Sequence, residues 1–271
     1  MTRFGPTSVS APTEVLRGDA WSSSARAVPE EVPVAFVVDG GAEAVMMATP
    51  ADLEDFALGF ALSDGLVGSR DDLCGLDISE EGPGVEIRFW LRGNAGAAHS
   101  ARRRTRMGPA GCGLCGIESL EAALQPCAPV GSDFRIAATR IVTAMAQLPG
   151  MQPLNRETRA VHAAAFYTPD EGVVCVREDV GRHNALDKLI GALAHQGRDC
   201  TDGVILMTSR VSIELIQKAA RANAPVLAAI SAPTALALRT AEGAGICICG
   251  IVRENALEVF TRADRIVRHA D

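Results

Sequence analysis

Hydrophobic spacing divides the chain into two rhythms. From Val32 to Ala48, "VPVAFVVDGGAEAVMMA" reads as two strands around an Asp39-Gly40-Gly41 turn, a strong hairpin signal. "TPADLEDFALGFALSDGL" then predicts a helix. Thr49 is placed to cap it, Pro50 sits at the first helical position, and Leu53, Phe56, Ala57 and Phe60 recur at i, i+3, i+4 and i+7 on one face. "VEIRFWL" at 85–91 predicts another strand. From about Asp133 the rhythm changes. A helix over Arg135–Gln147 and a strand "VHAAAFYT" lead into alternation: strand "GVVCV", helix "NALDKLIGALAHQ", strand "GVILMTS", helix "SIELIQKAARAN", strand "PVLAAIS", helix "PTALALRTAEG", strand "GICICGIV". These last strands are continuous apolar runs, as expected when helices cover both sheet faces, and the alternation predicts βαβ units with a largely parallel sheet.

The expected class is therefore α/β, with a smaller N-terminal α+β domain over 28–132 and a C-terminal α/β domain over 133–271. Residues 1–27 are polar and rich in Ser and Pro, which predicts a mobile tail rather than a secretory signal, since no apolar stretch precedes a cleavage-like site. Residues 92–116 are rich in Gly, Ala and Arg with weak periodicity and predict a long mobile connection. The longest apolar run, Val226–Ile230, is strand-sized and too short to span a membrane. A net charge of −7 argues against broad nucleic-acid binding. Together these features predict a cytoplasmic protein.

Eight cysteines in such a chain argue against a disulfide framework. Cys74, Cys127, Cys175 and Cys200 are scattered singly and read as packing or incidental. Two pairs remain. Cys112 and Cys115 lie in "GPAGCGLCGIESL", among glycines and ahead of a helix expected from Ile117. Such a C-x-x-C is half a zinc site, a redox disulfide or a sulfur carrier. A helix N-terminus lowers a thiol pKa, and Arg102, Arg103, Arg104 and Arg106 are near in sequence, although that basic run also reads as a solvated linker. Gly111, Gly113 and Gly116 leave the backbone free to swing, which suits transfer better than a rigid metal knuckle. Cys247 and Cys249 stand two apart in an expected buried strand, so both face one side as small apolar groups and are poor partners in a four-thiolate zinc site. No His has a Glu two residues later, so the zinc-deaminase signature is absent and no metal ligands are assigned.

The carboxyl ends of the predicted strands carry a consistent chemistry: Arg182 and His183 beside Asp179, then Thr208, Ser209 and Arg210, then Ser231, then Arg253, Glu254 and Asn255. Ligands collect at such ends in open α/β sheets, and hydroxyls, arginines and helix starts together suit phosphates and a polar ring. The same residue types also serve as ordinary helix caps.

Four segments, "TPADLEDFALGF", "GPAGCGLCGIESLE", "REDVGRHNALDKLIG" and "TSRVSIELIQKAA", resemble in the same order the formate dehydrogenase accessory sulfurtransferases of the FdhD family. The resemblance runs from about residue 28 to the C-terminus. It implies a persulfide on Cys112 with Cys115 assisting, loaded by a cysteine desulfurase. The recipient is the bis(molybdopterin guanine dinucleotide) cofactor of formate dehydrogenase, a bound substrate for which GDP is a mimic. It also implies a cytidine-deaminase-like C-terminal fold, a homodimer, and cofactor contacts over Ile251, Val252, Arg253, Glu254, Asn255 and Ala256. There the chain departs from the family pattern: many relatives carry glycine after the arginine, where this chain has Glu254. Two other functions fit the same residues, a cofactor-binding chaperone without sulfur transfer and a dithiol oxidoreductase.

Overall fold

The computed structural model describes residues 3–93, 96 and 127–268. Cys112 and Cys115, the arginines at 102–106 and most of the expected 92–116 connection lie outside the described residues. The first described element corrects an expectation. In place of a tail, β1 (Ser8–Arg17) and β2 (Ala20–Pro29) pair antiparallel from Ser8–Pro29 to Arg17–Ala20. Gly18 makes the reversal at φ +61°. The larger apolar residues of the pair, Val9, Leu16 and Trp21, are exposed, so the pairing buries little and leaves no inward-facing apolar row to read.

Strict alternation builds the next sheet. Along β3 (Val32–Val38), Val34, Phe36 and Val38 point inward, as do Val85, Ile87 and Phe89 of β6 (Gly84–Leu91). β4 (Gly41–Ala48) and β5 (Leu73–Glu81) complete a sheet of order β4-β3-β6-β5. The inner face is closed by α1 (Leu53–Ser63), whose predicted stripe of Leu53, Phe56, Ala57 and Phe60 is buried as expected. Phe36 meets Phe56 edge-on at 5.0 Å and Phe60 at 4.2 Å between ring centroids. The helix begins later than its capping signal predicts: Asp52, at φ 52°, is the N-cap. Thr49 is unavailable because its amide donates to Asp179 and its hydroxyl accepts from the Val180 N–H.

The second half keeps the predicted order of elements but adds short ones, and the helix expected over Arg135–Gln147 starts only at Ala138. A short β7 (Ile136–Ala137) precedes α2 (Ala138–Gln147) and α3 (Pro153–Thr158). Then come β8 (His162–Thr168), β9 (Gly172–Asp179), α4 (Arg182–His195), β10 (Val204–Met207), α5 (Ile213–Arg221), β11 (Val226–Ala229), α6 (Ala235–Ala244), β12 (Cys247–Arg253) and β13 (Ala256–Val259). A final β14 (Ile266–Val267) pairs with β7. The large sheet has order β13-β12-β11-β10-β8-β9. It is mixed rather than largely parallel: β10, β11 and β12 run together, while β8 is antiparallel to both β10 and β9, and β13 is antiparallel to β12. β8 and β9 form a hairpin rather than a crossover unit, and a two-period pattern alone does not distinguish those connections. Helices α4, α5 and α6 pack one face and α2 the other. Cys247 and Cys249 are both buried on the α2 face, as their spacing predicts.

The halves join where α1 crosses α4. A Cβ on Gly59 would stand 1.7 Å from the Asp187 carbonyl oxygen, and one on Gly191 1.9 Å from that of Asp55. Only glycine permits such backbone contact.

Candidate functional site

Because β8 opposes both its neighbours, β9, β10, β11 and β12 all end at one edge of the large sheet, where β8 begins at His162. That edge gathers the residues expected there. Arg182 and His183 open α4, Thr208, Ser209 and Arg210 follow β10, Ser231 follows β11, and 251–256 form the end of β12 and the turn into β13. They are not equivalent. The Thr208 hydroxyl accepts from the Ala163 N–H at 2.7 Å, extending the ladder between β8 and β10, and Ser209 Oγ donates to the Arg210 carbonyl. Both hydroxyls are occupied structurally. Val252 is buried in the core, so its side chain faces away from the edge, whereas Arg253, Glu254, Asn255 and Ala256 are exposed. Four strand spacings separate the end of β9 from that of β12, about 19 Å in all. The predicted residues therefore form two groups, one around α4 and α5 and one around β11 and β12.

The first group rests on a buried ion pair. Asp179 and Lys188 are both 0% exposed and lie 2.6 Å apart. The Asp179 carboxylate also accepts from the amides of Thr49 and Gly181 and from Asn184 Nδ2, at 3.0, 2.7 and 2.9 Å. Lys188 donates its second bond to the Thr49 carbonyl, and Asn184 donates to that of Met47. Burying two charges is costly unless the remaining hydrogen-bonding capacity is satisfied, and here four donors converge on one carboxylate. The network fixes the β9–α4 turn, hence Arg182 and His183, against the loop before α1. A second buried pair, Asp187 with Lys218, is joined by Ser63 of α1. Burial pushes the Asp187 carboxyl above its ordinary value, opposed by Lys218 and Ser63.

His162, Arg182, His183 and Glu214 share one electrostatic neighbourhood. Burial and the adjacent Arg182 charge push His183 down to about 4, against the pull of Glu214, so its imidazole is neutral near pH 7. His162 is lowered for the same two reasons, against Asp179. Glu214 is held below the usual carboxylate range: burial raises it, but the Ser212 side chain, the helix backbone and the charges of His183 and Arg182 outweigh that. His183 Nε2 stands 3.9 Å from a Glu214 oxygen, too far for a hydrogen bond. Arg182 Nε and His183 Nε2 are both buried without a hydrogen-bond partner among the described residues. Buried polar nitrogens are normally paired, so these two are exceptions within the fold.

In the second group, Ile251 has φ 52° and Glu254 φ 56°. A β-branched residue in the left-handed region is a true outlier, and such strain concentrates at functional sites. The Ile251 N–H donates to the Ser231 carbonyl at 3.3 Å, tying the strand end to the loop after β11. Gly250 packs so closely there that a Cβ would meet Phe260 at 2.8 Å and the Ser231 carbonyl at 3.3 Å. The missing family glycine thus falls on a residue whose backbone favours glycine. Elsewhere, a groove of about 420 Å³ beside α1 is lined by Asp52, Glu54, Asp55 and Asp77 with Arg3. Its carboxylates would repel a nucleotide, so it does not compete with the edge.

Sequence reasoning missed Thr49, Lys188 and Glu214. All three lie inside motifs that resemble the family, but no spacing rule pairs a threonine with a carboxylate 130 residues away. Glu214 reads from sequence as an ordinary acidic residue in a first helical turn.

This is a two-lobed α/β protein whose C-terminal sheet gathers polar residues along one edge. The chain belongs to the FdhD/NarQ family, whose model matches residues 29–267. It is 51% identical over 253 residues to the sulfur carrier protein FdhD of Agrobacterium fabrum, covering 93% of each chain. It is 49% identical over 243 residues to the protein of that name from Cupriavidus necator, covering 90% of this chain and 84% of that one. A crystal structure of a Desulfotalea psychrophila protein, assigned as a formate dehydrogenase accessory protein, shares the fold with a TM-score of 0.77 at 23% identity, covering 97% of this chain and 100% of that one.

Proposed function

We propose that this chain is a persulfide sulfur carrier for formate dehydrogenase maturation, with Cys112 as the carrying residue. The observation that carries the reading is the near-complete relationship, at about half identity, to proteins named sulfur carriers, in a chain that holds the glycine-flanked Cys112-x-x-Cys115 pair. The Cys112 thiolate attacks the outer sulfur of a cysteine desulfurase persulfide. A sulfur–sulfur bond forms on Cys112, the donor's breaks, and the desulfurase thiolate leaves, with no net change of oxidation state. For delivery, the Cys115 thiolate attacks Cys112 Sγ and the outer sulfur departs as sulfide to the metal of the bis(molybdopterin guanine dinucleotide) substrate. The two electrons come from forming a Cys112–Cys115 disulfide, which an external thiol reopens. The strand-end edge holds the guanine nucleotide ends of that substrate. We read the lobe that carries it, a mixed sheet with α4, α5 and α6 on one face, as the deaminase-like unit.

Incubation with a desulfurase and cysteine should add one sulfur atom, about 32 Da, to Cys112. Cys112→Ala should neither load nor activate formate dehydrogenase, and Cys115→Ala should load but deliver slowly. Full activation by Cys112→Ala would overturn the carrier reading in favour of a chaperone. Cycling of a Cys112–Cys115 disulfide with no mass gain would point instead to an oxidoreductase.

A further inference from the structure

A cavity of about 280 Å³ opens beside the start of β12, at the opposite end of that strand from the polar edge. β12 runs seven residues from Cys247 to Arg253, so about 20 Å separates the two places. The cavity lining carries three guanidinium groups, Arg135, Arg262 and Arg265, against two carboxylates, Asp133 and Asp264. Arg265 is only 6% exposed. Its Nε donates to the Gly245 carbonyl at 3.0 Å, and its Nη1 to those of Ser132 and Phe134 at 2.6 and 3.2 Å. These acceptors are neutral, and Arg265 forms no ion pair among the described residues. Its Nη2, the other arm of the fork, makes no hydrogen bond among them either, and unlike Arg182 Nε it is not sealed from solvent.

A second guanidinium stands at the same spot. A Cβ on Gly245 would lie 2.9 Å from Arg262 Nη1, at the residue whose carbonyl Arg265 holds. Arg262 gives its Nε and Nη2 to Asp264, at 3.0 and 2.9 Å, which leaves Nη1 over. Arg135 is exposed, and its side chain has no hydrogen bond or ion pair among the described residues. Gathering like charges at a buried group is costly without an opposite charge. The carbonyl end of α6, at Gly245, offsets part of that cost. Burial and the neighbouring Arg262 nevertheless hold Arg265 below its ordinary value, against the more distant Asp264 and Asp133.

We propose that this cavity is an anion site, in which a phosphate-sized oxyanion accepts from Arg265 Nη2, Arg262 Nη1 and Arg135. Guanidinium groups match the oxygens of such an anion, and three of them from separate segments suit a tetrahedral group better than a planar carboxylate. Arg135 belongs to the stretch that leads from the Cys112–Cys115 pair into β7. That stretch is already bonded to the end of α6, the Val130 N–H donating to the Ala244 carbonyl. A bound anion adds a charge clamp at the same joint. The site uses none of the residues of the polar edge and stands apart from the nucleotide reading.

Titration calorimetry of the full-length protein with inorganic phosphate, at an ionic strength held constant with chloride, tests the assignment. Arg135→Ala should weaken phosphate roughly 3- to 10-fold, as expected for one hydrogen bond from an exposed group. Asp264→Asn should tighten it, because the change removes a repelling carboxylate and frees the Arg262 fork. A merely structural role for Asp264 would not produce tighter binding. Arg210→Ala reports any phosphate held at the polar edge, so the two places are read separately. Arg135 and Asp264 are exposed, and unchanged thermal midpoints would confirm that their variants are folded. If phosphate does not bind, or if Arg135→Ala and Asp264→Asn both leave its affinity unchanged, the cavity is not its site and the inference fails. Acetate binding as tightly as phosphate would overturn the tetrahedral assignment.

Discussion

Asp179 receives four donors from three separate segments: Thr49 before α1, Gly181 in the turn, and Asn184 and Lys188 on α4. Its partner Lys188 also lies 5.5 Å from the ring centroid of Phe56, so the ammonium sits between a carboxylate and an aromatic face. Removing one member of such a pair leaves an uncompensated buried charge. Lys188→Met should destabilise the protein by about 3–5 kcal/mol in chemical denaturation. Adding Asp179→Asn should recover part of that loss, because the second change removes the stranded charge. A double variant no more stable than Lys188→Met alone would show that the network acts through packing rather than charge. At this scale the sequence is legible only in part. Arg182 and His183 stand at the edge as the strand-end argument predicts. Of the partners that hold them, Gly181, Asn184 and Lys188 are near in the chain, but Thr49 is 130 residues from Asp179 and no local pattern encodes that contact.

Elements were easier to read than their connections. The α1 stripe, the β3–β4 hairpin and every strand and helix from β8 to β12 follow from spacing, since burial on one face writes its period into the sequence. The pairing of β1 and β2 does not, because it buries little and Ser, Ala and Thr carry no period. The start of α1 is misread for another reason: Thr49 has the chemistry of a cap, but a tertiary partner takes it. The crossing of α1 and α4 is equally silent, since Gly59 and Gly191 look like ordinary weak points in helices. Their exchange for alanine tests the packing directly. Gly59→Ala places a methyl 1.7 Å from a backbone carbonyl that cannot rotate away, so the helices must separate. We expect the thermal midpoint to fall by well over 10 °C, or soluble protein to be lost. Gly243→Ala, where nothing lies within 4 Å of the new carbon, should be neutral or slightly stabilising.

The whole molecule brings these together. Two lobes with separate cores meet across α1 and α4, and both buried ion pairs straddle that joint: Lys188 with Asp179 holds Thr49, and Lys218 with Asp187 holds Ser63. Opening the joint would expose all four charges together with the phenylalanines beside them. Calorimetry should therefore show one unfolding transition, with calorimetric and van't Hoff enthalpies in agreement. Two resolved transitions would mean that the lobes melt independently and that the joint contributes little. Domain boundaries drawn from composition carry no information about this mutual dependence.

The length of the polar edge has its own consequence. The ends of β9 and β12, its outermost stations, stand about 19 Å apart, a separation set by strand spacing and so nearly incompressible. A mononucleotide is short against that span and engages one station. A ligand with a nucleotide at each end can occupy both if its middle bridges them, and its second contact then forms at high effective concentration. Such an edge works as a calliper. On the proposed function it would favour the doubly headed molecule over its fragments through avidity, even where each jaw grips weakly, and would let cleaved or half-built forms dissociate.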